Sequence, residues 1–264
     1  MTHPWFEGTP TPRVLAHRGL VTPHDDAHGI AENSFAAVSA AHAAGAVYVE
    51  SDCHLTADGT VVLFHDPDLS RVTGDRRLVS EVATRELELL MAERGGLITL
   101  AQALDSFPET RFNLDVKAAG AADDVGRLVA PHAHRVLVTS FSDARRRAAL
   151  SAALAAGAAI RPATSAGSGT IGRLLGALAV RSAPLVRRVL DGIDALQVPE
   201  RQGRLRVVTP RLISAAHRTR VEVHVWTVND PPDMERLVGL GVDGIVTDRA
   251  DVALGVLGGR APGS

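Results

Sequence analysis

Two histidines, an arginine and three carboxylates stand at the ends of short apolar runs in this chain, within His17-Arg18-Gly19, Glu50-x-Asp52-x-His54, His65-Asp66 and Asn113-x-Asp115-x-Lys117. Alternate side chains of a strand share a face. That rule groups Tyr48, Glu50, Asp52 and His54 opposite Val47, Val49, Ser51, Cys53 and Leu55, and sets Asn113, Asp115 and Lys117 opposite Phe112, Leu114 and Val116. Adjacent acids repel unless a cation or water screens them, and oxygen donors at this spacing suit Mg2+ or Ca2+. Glu50, Asp52 and Asp115 are therefore the candidate metal ligands, with a solvated strand edge as the plainer explanation. His17 and His65 are the candidate proton-transfer pair, because imidazole titrates near neutrality. Arg18 can grip a phosphate with two parallel N–H groups. Gly19 either lets the backbone approach that phosphate or serves a turn. The set points to metal-assisted chemistry at a phosphate.

Other residues carry two readings each. Glu32-Asn33-Ser34 precedes a helical run from Phe35 to Ala44, so Asn33 or Ser34 can cap that helix while the same residues attend the site. Trp226 shares a strand face with His224 and walls a substrate pocket or fills the core. Thr247 and Asp248 end a last strand and reach the active rim, or Asp248 caps the helix that follows. His24, His28, His42, His132, His134 and His217 read as structural or exposed. Arg181, Arg187 and Arg188 lie among leucines, as on an outer helix with a basic face or, less simply, on a membrane-touching one.

These residues need a scaffold that brings many strand ends together. Strand-length apolar runs (Arg13 to His17, Val47 to Leu55, Phe112 to Lys117, Val136 to Phe141, Ala158 to Pro162, Ile193 to Val198, Val221 to Val228, Gly244 to Thr247) alternate with Ala/Leu-rich helical ones. Such alternation predicts an α/β chain, and eight strands fit a (β/α)8 TIM barrel better than an open sheet. No G-x-G-x-x-G follows the first strand, which removes the usual argument for a dinucleotide-binding sheet. The stretch from about 58 to 98 breaks the rhythm and is read as a small rim insertion after the second strand, with a helix from Glu81 to Glu93. The whole chain, 1–264, is taken as one barrel domain. Ala166 to Leu190 is read as a loop with one or two helices.

Composition bounds the partners. A net charge of -2 gives no whole-chain case for nucleic acid or an anionic membrane. The single cysteine, Cys53, forbids an intrachain disulfide. No apolar run reaches the ~20 residues of a spanning helix, so no integral membrane segment is expected. The first twelve residues have no signal-peptide pattern, and a cytoplasmic location is expected. Gly258 to Ser264 reads as a flexible tail. Oligomeric state is not encoded in any of these features.

In order and spacing, these motifs, together with Asp58-Gly59, Thr73-Gly74, Val225-Trp-Thr-Val-Asn229 and Gly241-Val-Asp-Gly-Ile-Val-Thr-Asp248, resemble the glycerophosphodiester phosphodiesterase family over nearly the whole chain. The resemblance implies a (β/α)8 barrel, a divalent cation (Mg2+ or Ca2+), and hydrolysis of a small-molecule glycerophosphodiester to glycerol 3-phosphate and an alcohol. Carried over, it makes Glu50, Asp52 and Asp115 the metal ligands, His17 and His65 the acid/base pair, and Arg18 and Lys117 the phosphate contacts, with Glu32 near the metal. Two positions depart from the family pattern: Asp115 stands where Glu is usual, and Ser34 where Thr is usual. The shorter Asp115 bears on metal preference. The mechanism these residues suggest is in-line attack by the glycerol 2-hydroxyl through a cyclic phosphate, with His17 as base and His65 as acid. The alternatives are a lysophospholipid-directed phospholipase D of related barrel type, expected to show an apolar mouth, and a non-catalytic phosphate-binding homologue. A Schiff-base aldolase built on Lys117 is disfavoured, since neighbouring acids keep its amine charged.

Overall fold

The computed structural model describes residues 3–258. The sequence-predicted tail beyond Gly258 lies outside the described residues. Eight parallel strands form the frame: β1 (Arg13–His17), β2 (Tyr48–Leu55), β3 (Arg111–Val116), β4 (Val136–Thr139), β5 (Ala163–Thr164), β6 (Ala195–Pro199), β7 (Glu222–Trp226) and β8 (Gly244–Thr247). Their order around the sheet, β5-β4-β3-β2-β1-β8-β7-β6, follows the chain. A parallel bridge between Ser165 and Ala195, with Asp194 N–H donating to Thr164 O at 2.9 Å, brings β5 against β6 and closes the circle. The expected barrel is therefore found.

The strand alternation sorts side chains into two layers. Leu15, Tyr48, Leu137, Ala163, Ala195 and Val246 fill the barrel interior, where Trp5 and Phe6 enter from the N-terminal end. Residues on the opposite face of the strands, such as Val14, Val49, Phe112, Val138 and Ile245, pack outward against the helices. With so few aromatics, Trp5 carries much of the barrel floor: it is fully buried, and its Nε1 donates to Phe112 O at 3.1 Å. Below the interior, Arg13 reaches Glu222 through Nε and Nη2 at 2.8 Å each, an ion pair joining β1 to β7.

One strand lies elsewhere than expected. Ala158 to Pro162 is not extended sheet, and β5 begins at Ala163. Ala158 N–H closes the preceding helix on Ala153 O, Ile160 is exposed, and Pro162 has no N–H to give a ladder. The rim insertion starts with Val61–Leu63, antiparallel to β2, and gathers its own cluster of Phe64, Leu69, Val79, Leu87 and Met91. Its main helix is shorter than the expected Glu81 to Glu93: it runs Thr84–Met91, flanked by 3-10 turns. Asp58, in the hairpin turn, ties this helix down by accepting from Thr84 N–H at 3.1 Å and Thr84 Oγ1 at 2.7 Å. The 166–190 stretch forms two helices, Ser168–Ala179 and Ala183–Val189, and Arg187 and Arg188 lie exposed in the last turn of the second.

Candidate active site

Sheet register brings the chemistry together. His17, Glu50 and Asn113 are Cα partners across β1, β2 and β3, and Asp52 is the partner of Asp115 one layer nearer the C-terminal rim. All five line one cavity of about 570 Å3 at the C-terminal ends of the strands, with Arg18, His65, Lys117 and Trp226. This is the end of a parallel barrel where loops converge and active sites form. His54 is directed elsewhere: its Nε2 bonds His65 O at 3.1 Å and fixes the backbone that carries the second catalytic candidate.

The bend after β1 sets Arg18. Arg18 and Asn33, neither of them glycine, sit at φ 58 and 55. Such backbone costs on the order of 1 kcal/mol or more and persists where surroundings enforce it. Here Arg18 N–H donates to Glu50 O at 2.9 Å and Asn33 N–H donates to Arg18 O at 2.8 Å. Gly19 follows at φ 87, and a Cβ there would lie 2.6 Å from the Ala37 backbone. The positive φ and the approach of the helix together demand this glycine. Both readings of Glu32-Asn33-Ser34 hold. Ser34 Oγ caps the helix at Ala37 N–H, Asn33 Nδ2 donates to Asp52 Oδ2 at 3.1 Å, and Glu32 Oε1 accepts from Arg18 Nη1 at 2.7 Å.

Each histidine is backed by an aspartate. His17 Nδ1 lies 2.5 Å from Asp248 Oδ1, and its Nε2 is 3.9 Å from Glu50 Oε2. Burial alone would lower the His17 pKa, but the hydrogen bond to Asp248, with that carboxylate's charge, outweighs it and raises it. His65 Nδ1 lies 2.7 Å from Asp66 Oδ1, while Asp66 Oδ2 accepts from Arg71 Nε at 2.5 Å. Sequence reasoning named Asp66 and Asp248 without assigning them this backing role, and it missed Arg71 and the exposed Phe141 on the cavity wall. Adjacency in His65-Asp66 was the available signal for one, and position just beyond β4 for Phe141.

The acids are crowded and dry. Burial, then the charge of Asp52, pushes the Glu50 carboxyl up to about 8, and burial raises Asp115 as well. Lys117 was expected at the phosphate; its ammonium instead bridges Asp52 Oδ1 at 3.0 Å and Asp115 Oδ2 at 2.7 Å. Burial opposes the Lys117 charge, yet those two acids carry its pKa to about 12. Among the described residues no three His, Cys, Asp or Glu side chains are already gathered as an ion cage. The donor chemistry nevertheless fits a hard cation. Glu50 Oε2, Asp115 Oδ1 and Asn113 Oδ1 are buried acceptors with no hydrogen-bond partner, and such atoms are costly to leave bare.

A closed parallel barrel that presents a histidine pair, basic side chains and a carboxylate cluster at its C-terminal rim defines a barrel enzyme suited to phosphoryl chemistry. The chain belongs to the glycerophosphoryl diester phosphodiesterase family, whose model matches residues 17–252. It is 35% identical over 247 residues to a Mycobacterium tuberculosis protein named "Probable glycerophosphodiester phosphodiesterase 2", covering 92% of this chain and 90% of that one. A glycerophosphodiester phosphodiesterase of Caldanaerobacter subterraneus subsp. tengcongensis is 25% identical over 263 residues, covering 92% and 97%. The solved structure of the Thermotoga maritima glycerophosphodiester phosphodiesterase superposes with a TM-score of 0.70 at 25% identity, covering 92% of this chain and 97% of that one.

Proposed function

We infer that this chain hydrolyses glycerophosphodiesters to glycerol 3-phosphate and an alcohol, at the rim that carries His17 and His65. Family membership supports the activity. The observation that carries the site is that two histidines, each held through Nδ1 by an aspartate, line one cavity with Arg18, Lys117 and the acids.

Glu50, Asp52 and Asp115 are the residues that would hold a divalent cation, Mg2+ or Ca2+, and to admit it Lys117 has to leave the two aspartates. A bound cation supplies Lewis-acid stabilisation of charge on the phosphoryl group. The chain's own residues do the rest. Arg18 neutralises developing phosphoryl charge, joined by Lys117 once released. His17, its Nδ1 occupied by Asp248, takes the proton of the glycerol 2-hydroxyl at Nε2, and that oxygen attacks phosphorus. His65, its Nδ1 occupied by Asp66, protonates the departing alcohol, and water then opens the cyclic ester. Glu32 and Asn33 hold Arg18 and Asp52 in place.

Release of glycerol 3-phosphate from glycerophosphocholine, measured with and without a chelator, tests both halves of this reading. No release from this or any other glycerophosphodiester under any cation sinks the activity, and undiminished release in chelator sinks the metal assignment. Among the described residues no helix is long and apolar enough to cross a membrane. A cytoplasmic location is proposed from the lone cysteine, Cys53, which is buried and free.

A further inference from the structure

The cavity has a second half that the acid/base and carboxylate groups do not use. It is walled by Phe141 beyond β4, by Ile171 and Leu175 on the helix Ser168–Ala179, by Leu205 in the hairpin Arg201–Gln202/Leu205–Arg206, and by Trp226 at the end of β7. Ile171 and Leu175, four residues apart, face the same way on their helix. Phe141 is 58% exposed and Leu205 56%, and Phe141 meets Trp226 edge to face with ring centroids 5.9 Å apart. A concave apolar surface left open beside a polar reaction centre marks a place for a ligand's apolar part.

The buried and half-buried polar groups of this arm are already engaged, and exposed Ser168, Gln202 and Thr227 also line the cavity. Thr139 Oγ1 bonds Ser165 Oγ at 2.5 Å, Ser140 Oγ donates to Val116 O at 2.8 Å, and Gln197 Nε2 lies 3.3 Å from His224 Nδ1. A polyol would lose its water there with few partners in exchange. A cationic head group fares no better. In the ion-free protein Lys117 Nζ stands 5.4 Å from the Phe141 ring centroid, and no carboxylate joins the arm's wall to pair with a head-group cation. The free hydroxyls of the glycerol half instead find polar company across His17, where a cleft of about 550 Å3 is lined by Glu32, Arg71, Arg94, Asp248 and Arg249.

We propose that the arm walled by Phe141, Ile171, Leu175, Leu205 and Trp226 receives a hydrocarbon group on the leaving alcohol, so that the preferred substrates are glycerophosphodiesters of apolar alcohols rather than of choline or a polyol. The proposal rests on the glycerophosphodiesterase reading of the site. Gly172 supplies the probe: it lines the arm, and a Cβ on it would meet nothing within 4 Å. Gly172→Leu therefore fills the arm without a backbone clash and replaces a helical glycine with a better helix former.

The test is kcat/KM for glycerophosphodiesters of ethanol, butanol, hexanol and octanol below their micellar concentrations, beside glycerophosphocholine and lysophosphatidylcholine. Each buried methylene is worth a roughly fourfold gain, so kcat/KM should climb along the series, overtake glycerophosphocholine and level when the arm is full. In Gly172→Leu it should level at a shorter chain, with the melting temperature not lowered. A flat series overturns the proposal, as does a rise that ignores the Gly172→Leu substitution. Faster cleavage of lysophosphatidylcholine than of the octyl diester also overturns it, by placing the hydrocarbon on the glycerol half. If no diester is cleaved, the activity reading fails on its own. Calorimetric binding of the non-hydrolysable ethyl and octyl phosphonate analogues then still decides the arm, supporting it if octyl binds more tightly and sinking it if the two bind alike.

Discussion

His17 and Asp248 make the tightest imidazole–carboxylate contact on the rim of the candidate site, Nδ1 to Oδ1 at 2.5 Å, across 231 residues of sequence. Asp248 is itself fixed. Asn229 Nδ2 donates to its Oδ2 at 2.7 Å, and Asn229 Oδ1 accepts from Thr247 Oγ1 at 3.0 Å and from Asp248 N–H at 2.9 Å. A carboxylate only accepts, so the His17 proton is assigned to Nδ1 and the lone pair to Nε2, facing the cavity. Asp248→Asn keeps the shape but can offer an N–H to Nδ1, which moves the ring proton to Nε2. The expected result is a fall in kcat on the order of 10²–10⁴ with KM little changed. A variant that loses only KM would assign Asp248 to substrate binding instead.

His65 is held through Nδ1 by Asp66, with Arg71 bound to the same carboxylate. If it protonates the departing alcohol, its importance depends on how poor that leaving group is. His65→Ala should cut turnover of an alkyl glycerophosphodiester by roughly 10²–10⁴, yet cost a p-nitrophenyl diester far less, because nitrophenolate departs without a proton. Equal losses on both substrates would assign His65 another role.

The site was legible where a local rule is broken. Acids at Glu50, Asp52 and Asp115 stand on one face of strands whose opposite face is mostly apolar, so alternation alone grouped them, and the register of β2 on β3 brings that grouping to one wall. Asp248 and Arg71 acquire their roles only through side-chain contacts between distant elements, which no local pattern encodes. The apolar arm was hidden for another reason: Ile171, Leu175 and Leu205 look like core residues in sequence, and only the gap between helix and hairpin makes them a wall. The position of β5 was lost to composition, since Ile160 sits in an apolar run that proves to be exposed loop before Pro162. The Arg13–Glu222 pair, 209 residues apart, leaves no sequence signal at all.

That pair contributes to acid stability. Burial would raise the Glu222 carboxyl, but bonds from Arg13 and His224 hold it at about 2, against an ordinary 4.5. A depressed folded-state pKa contributes stability that is complete above the unfolded value and is lost as pH falls through the folded one. The window is therefore pH ~4.5 down to ~2, and the amount is roughly 3 kcal/mol. Glu222→Gln should cost about 3–5 kcal/mol near neutrality by leaving Arg13 buried without its counter-charge. The gap between the two proteins in urea unfolding should then narrow across that window. A gap independent of pH would mean the pair does not titrate as described.

Lys117 is the only lysine in the chain, so its amine can be followed without interference from other side chains. In the ion-free protein Asp52 and Asp115 hold it as an ammonium with a pKa of about 12, and Glu50, raised to about 8, keeps its proton at neutral pH. A divalent cation that takes these oxygens must do two things at once, expelling the Glu50 proton and displacing the ammonium. Cation affinity should accordingly rise about tenfold per pH unit below pH ~8 and flatten above it, with proton release visible as a calorimetric heat that varies with the buffer. Modification of Lys117 by an amine-reactive reagent, read by mass spectrometry against the α-amino group as internal standard, should be slow without cation and faster with it. If the cation binds with neither proton release nor any change at Lys117, it is held by groups other than Glu50, Asp52 and Asp115.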